Sequence, residues 1–179
     1  KLDGGTTDVP SEIGPNLNYY DPSVDGPGDL GNVQFVPGRF NSAASVGSGD
    51  YYPTSRVRAL VLRDLRKVLS PERGTIAVWY KEKERPVPYE HNNYLIFGGG
   101  FDLFPPVQFQ NSVDGVNPKT LQFIIQFGGE RQLVDALFSP PLNEWVHIAA
   151  VWDRRGIDGT SETARLYVNG NWVGATTAN

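Results

Sequence analysis

Trp145-Val146-His147-Ile148-Ala149-Ala150-Val151-Trp152-Asp153 and, after a short loop, Ala164-Arg165-Leu166-Tyr167-Val168-Asn169-Gly170-Asn171-Trp172-Val173 decide how this chain folds. The second stretch spells a β-hairpin. Asn169-Gly170 suits a two-residue type I′ turn, because both central positions need positive φ and these residues tolerate it. Closing that turn pairs Val168 with Asn171, Tyr167 with Trp172, Leu166 with Val173 and Ala164 with Ala175. Ala164, Leu166, Val168, Val173 and Ala175 then form a core face. Arg165, Tyr167 and Trp172 form the other face, an aromatic cross-strand pair with a cation beside it.

Working outward, short extended segments recur. Thr75–Lys81, Tyr94–Phe97, Leu121–Phe127 and Gln132–Phe138 read as strands, punctuated by glycine runs and prolines. Leu17–Tyr20 and Val33–Val36 read as shorter ones. Arg56–Leu69 is the one helical candidate: a strand first, then a single helical turn over Asp64–Leu69, stopped by Pro71. Twenty Gly and fourteen Pro fit many turns. The expectation is an all-β, two-sheet antiparallel jelly-roll sandwich with at most one short helical turn. Residues 1–31, rich in Gly, Pro, Asp and Asn, read as an extended arm packed on or beside a body formed by 32–179.

Composition removes several functions. A net charge of −4 lacks the basic footprint of a phosphate-backbone binder, so no nucleic-acid partner is expected. No apolar run approaches the roughly 18 residues of a membrane helix. The chain has no Cys, which excludes disulfides and Cys-based zinc sites. A chain that opens on Lys1 and contains no Met reads as processed or trimmed.

Gly74-Thr75-Ile76-Ala77-Val78-Trp79-Tyr80-Lys81, the W-x-H-I-A-A-V-W-D stretch and A-R-L-Y-V-N-G-N resemble, in that order, the laminin-G-like, concanavalin-A-like jelly-roll domains. The order Gly38-Arg39-Phe40 then Asp50-Tyr51-Tyr52 is similar to the family's early strands. The resemblance covers about residues 32–176. It implies two antiparallel sheets, an exported setting (extracellular, periplasmic or cell surface), glycan or protein partners, and in some members a calcium ion at the sandwich rim. The family usually continues past this hairpin for several more strands. The expectation is therefore that residues 1–32, or a strand exchanged with a partner chain, complete the sandwich.

Tyr167 and Trp172, with Arg165 beside them, are candidate ligand-binding residues: a sugar stacked on aromatic faces, its hydroxyl or carboxylate on the guanidinium. The alternative is that this face is covered by protein. His147 shares a side with Trp145, Ala149 and Val151 and has no metal-spaced partner, so it reads as a satisfied imidazole. Calcium needs several gathered oxygens. Asp21, Asp25 and Asp29 in the N-terminal segment, and Asp153 and Asp158 in the loop before the hairpin, are the candidates, with turn formation as the alternative. Phe101, Leu103 and Phe104 form an apolar loop, either a partner patch or a plug. Glu82 and Glu84 are the one acidic pair near a strong strand. Carboxyls two apart on a strand stand about 7 Å from each other, within glycosidase range. Alternating with Lys81, Lys83 and Arg85, they read instead as a solvated strand end. The E-x-D-x-E arrangement of this fold's retaining glucanases is absent. A non-catalytic recognition or assembly module of a larger exported or surface complex is expected. A lectin-like module and a glycan-cleaving enzyme are the alternatives.

Overall fold

The computed structural model describes residues 8–9, 17–19, 29–30, 34–45, 47–48, 56–58, 60–61, 69–70, 72–83, 92–98, 107–113, 120–127 and 130–177. The Asp64–Leu69 helical turn, the Tyr51-Tyr52 segment and the Phe101–Phe104 loop fall wholly or almost wholly outside them. The chain divides into two compact units, Lys1–Leu69 and Ser70–Asn179.

The first unit holds short strands: Asp8–Val9 (β1), Leu17–Tyr19 (β2), Asp29–Leu30 (β3), Gln34–Pro37 (β4), Ser42–Ser45 (β5), Gly47–Ser48 (β6), Arg56–Arg58 (β7) and Leu60–Val61 (β8). They form small sheets ordered β1-β2-β8, β3-β7-β6 and β4-β5. All pairings are antiparallel except β3 with β7, which sets Asp29 beside Arg56.

The second unit holds the long strands: Arg73–Tyr80 (β9), Asn92–Gly98 (β10), Val107–Val113 (β11), Thr120–Phe127 (β12), Glu130–Ala136 (β13), Val146–Asp153 (β14), Glu162–Val168 (β15) and Asn171–Thr177 (β16). Two four-stranded antiparallel sheets result, ordered β10-β11-β12-β13 and β16-β15-β14-β9. A 3-10 turn at Ile157–Gly159 is the one helical element among the described residues. The all-β sandwich expected from the sequence is the observed fold.

Period-two alternation builds the core. Along β14 the even positions Val146, Ile148, Ala150 and Trp152 are buried and the odd ones half-exposed. Ala164, Leu166 and Val168 of β15 join them. From the other sheet come Val107, Phe109, Leu121, Phe123 and Ile125. The two layers meet where the Phe123 and Trp152 rings stack at 6.0 Å, with Phe109 against Phe123 at 5.3 Å. Burying each such aromatic contributes roughly 1.5–3 kcal/mol. The Trp152 indole N–H donates to the Ser70 carbonyl at 3.0 Å, so the buried donor is satisfied.

Two sequence readings need correction. The hairpin pairs next to the turn hold, Val168 with Asn171 and Tyr167 with Trp172, but a bulge then places Leu166 opposite Gly174 and Arg165 opposite Ala175. Val173 is the extra residue, and a one-residue slip exchanges the faces beyond it. Ala175 therefore shares the outer face with Arg165 and is no core residue. The cause is tertiary: a Cβ at position 174 would stand 3.1 Å from Val134, so glycine lets β16 press against β13. Second, Glu82 is no solvated strand end. It is 6% exposed, forms a parallel bridge with Leu142, and its carbonyl accepts the Asn143 N–H at 2.7 Å. The 142–143 segment closes over it. Glu84 lies outside the described residues.

Candidate functional site

The outer face of the β16-β15-β14-β9 sheet gathers residues from every strand. Register sets Trp79 opposite His147, Ala77 opposite Ala149, Ala149 opposite Tyr167, and Tyr167 opposite Trp172. The Trp79 and His147 rings lie 5.1 Å apart, tilted at 53°. One rung further, past the end of β9, the Lys81 Nζ stands 5.2 Å from the centre of the Trp145 ring. Of the chain's four tryptophans, Trp152 builds the core; Trp79, Trp145 and Trp172 belong to this face. Trp172 is 59% exposed and Trp79 37%. Ala77 and Ala149 form a low floor between the aromatic groups. Three inter-strand gaps make the face about 14 Å wide from β9 to β16.

The hairpin tip is fixed from both sides. Asn169 (φ 50) and Gly170 (φ 81) adopt the positive φ their turn requires. Asn169 also ties the tip to β14: its N–H donates to the His147 carbonyl at 2.8 Å, and its Oδ1 accepts the His147 N–H at 2.9 Å. Tyr167 and Trp172 thus stand on rigid backbone.

Arg165 has another role. Its side chain is only 14% exposed. It donates to Glu162 at 2.6 Å, to Asp158 at 2.8 Å, and at 3.4 Å to the Ile157 carbonyl and the Thr160 hydroxyl. The Glu162 carboxylate first, and Asp158 after it, hold the guanidinium pKa well above its ordinary value, against the opposing effect of burial. Arg165 is the cation on which the loop before β15 closes. Asp158, one of the calcium candidates, is a partner of that cation, and Asp153 accepts the Arg155 N–H at 2.9 Å in a turn. Asp29 lies on β3, and Asp21 and Asp25 lie outside the described residues. Among the described residues no group of three or more His, Cys, Asp or Glu is placed to hold a metal ion. As they stand, the oxygens of the 157–162 loop fit a guanidinium and not calcium.

Replacing Arg165 with Leu is expected to release this loop while leaving the sheets intact. Amide exchange across 157–162 then quickens and a protease cuts there first. Unchanged protection would show that the ion pairs do not hold the loop.

The sequence pointed to Tyr167 and Trp172 but not to Trp79, Trp145 or Lys81. The available signal was the alternation Thr75, Ala77, Trp79, Lys81, which puts these four on one side once β9 is known to pair with β14.

Residues 54–179 match a laminin-G family model described as the concanavalin A-like lectin/glucanases superfamily. The chain belongs to that superfamily, whose laminin-G-type domains bind carbohydrates or proteins and are commonly extracellular. No curated protein and no solved structure matches it. Among the described residues no helix is long and apolar enough to cross a membrane.

Proposed function

We propose that this chain is a non-catalytic recognition module of an exported protein and that it binds a glycan on the outer face of the β16-β15-β14-β9 sheet. The observation that carries this reading is the concentration of Trp79, Trp145 and Trp172, with Tyr167, on one side of one sheet, with Trp172 59% exposed. Exposed tryptophan on a rigid turn offers a flat apolar platform to the C–H face of a pyranose ring, while neighbouring polar groups meet its hydroxyls. His147 and Tyr167 supply such groups between the platforms. The acids Asp158 and Glu162, which approach this face, are both held by Arg165, and Glu82 is buried. This arrangement supports binding over the paired-carboxylate chemistry of glycoside cleavage.

Affinity electrophoresis through gels cast with a panel of polysaccharides tests the reading. The wild-type chain is retarded by at least one of them, and Trp172→Ala weakens that retention about tenfold or more, the scale of ~1.4 kcal/mol. The thermal midpoint barely moves, because the side chain is mostly in water. Retention of the wild type by no glycan, together with co-purification of a fixed protein partner, would replace this reading with assembly. Equal retention of Trp172→Ala would move the site off this face.

A further inference from the structure

We infer, resting on the glycan reading above, that the saccharide bound on this face is acidic, a uronate whose carboxylate is met by the Lys81 ammonium. Lys81 stands at the aromatic end of the face, its Nζ seated over the Trp145 ring one rung beyond the Trp79–His147 pair. Among the described residues it makes no ion pair. At the other end of the same face Arg165 is held by Asp158 and Glu162, and Arg73 lies opposite Asp153 in register. The acidic neighbour of Lys81 in sequence, Glu82, is buried. Among the described residues Lys81 is the cation that stands where the aromatic groups of this face are densest.

Resting an ammonium on an indole holds it in place without neutralising it. Its remaining N–H bonds stay available to a carboxylate, and a charge-assisted hydrogen bond is about twice as strong as a neutral one. The surrounding chain has a net charge of −4, so no general basic field draws anions to it. Selection of an acidic sugar then rests on this local group at the aromatic end of the face. A row of aromatic platforms ending in a single cation matches a ligand that alternates apolar ring faces with carboxylates.

The test uses uronans of different linkage, polygalacturonate and alginate, against fully methyl-esterified polygalacturonate, which keeps the ring and removes the charge. The wild-type chain prefers the free uronan. Lys81→Gln lowers its retention on that polymer about tenfold, the scale of one charge-assisted hydrogen bond, and leaves retention on the ester unchanged. Lys81→Arg, which keeps a cation over the indole, restores most of the preference. If Trp172→Ala abolishes retention on a neutral glycan while Lys81→Gln changes nothing on any polymer, the glycan reading stands and the acidic assignment falls. If Lys81→Gln weakens ester and uronan equally, Lys81 supports the fold of the face and the assignment falls as well. If no polymer retains the wild type, both readings fall together.

Discussion

Trp152→Ala is expected to bring the 70–179 unit close to unfolding. The side chain is 1% exposed and stacks on Phe123 from the opposite sheet. It also fills the space beside Gly74, where an added Cβ would overlap the indole. Removing it empties the junction of the two layers and leaves the Ser70 carbonyl without its N–H donor. Truncating a buried aromatic costs about 3–5 kcal/mol, against a typical domain stability of about 5–15 kcal/mol. A urea titration should show the free energy of unfolding falling by that amount, with loss of near-ultraviolet ellipticity. Trp152→Phe keeps most of the volume but loses the donor, so it falls between wild type and alanine. A loss of unfolding free energy below about 1 kcal/mol for Trp152→Ala would mean that the two sheets do not depend on this contact.

Trp152 illustrates what the sequence made legible. Alternation along 146–152 separated Trp152 from His147, and the Asn169-Gly170 turn set the first two pairs of the hairpin. Local rules sufficed there, because turn geometry and period-two burial act within a few residues. They failed where the cause is remote. The slip after Trp172 depends on Gly174 lying against Val134, forty positions earlier in the chain. The strand at Val107–Val113 went unread because Gln108, Gln110, Asn111 and Ser112 make it look like a loop, although Val107 and Phe109 are fully buried. Glu82 looked solvated among Lys81 and Lys83, yet it is buried where the chain pairs with Leu142.

The site divided in the same way. Tyr167 and Trp172 were readable because one turn places them together. Trp79, Trp145 and Lys81 required the pairing of β9 with β14, strands separated by more than sixty residues. Arg165 looked available because its neighbours in the strand are aromatic. Its partners Asp158, Thr160 and Glu162 reach it only because the preceding loop folds back, and that fold-back rests on backbone conformations that sequence pattern alone does not reveal.

Gly156→Ala tests that loop directly and is expected to be among the most damaging single changes outside the core. Gly156 has φ 101 and ψ 138, a region that strongly favours glycine. A side chain there costs on the order of 1–3 kcal/mol in backbone strain alone. The added Cβ would also overlap the Thr160 carbonyl oxygen. Thr160 cannot easily retreat: its N–H and hydroxyl both donate to the Ile157 carbonyl, at 3.0 and 2.7 Å, and its hydroxyl accepts the Glu162 N–H at 3.2 Å. Relief of the overlap therefore requires the loop to open, which exposes Ile157, now 7% exposed, and separates Arg165 from Asp158. Gly159→Ala is the matched control. It also has positive φ, at 76, but an added Cβ meets nothing within 4 Å, so only the left-handed penalty of about 1–2 kcal/mol remains. Chemical denaturation should rank Gly156→Ala well below Gly159→Ala. Equal losses would show that Thr160 yields, and that the guanidinium rather than the glycine is what shapes this rim. Retention of ligand on the Trp172 face by folded Gly156→Ala protein would show in turn that the rim and the aromatic floor act independently.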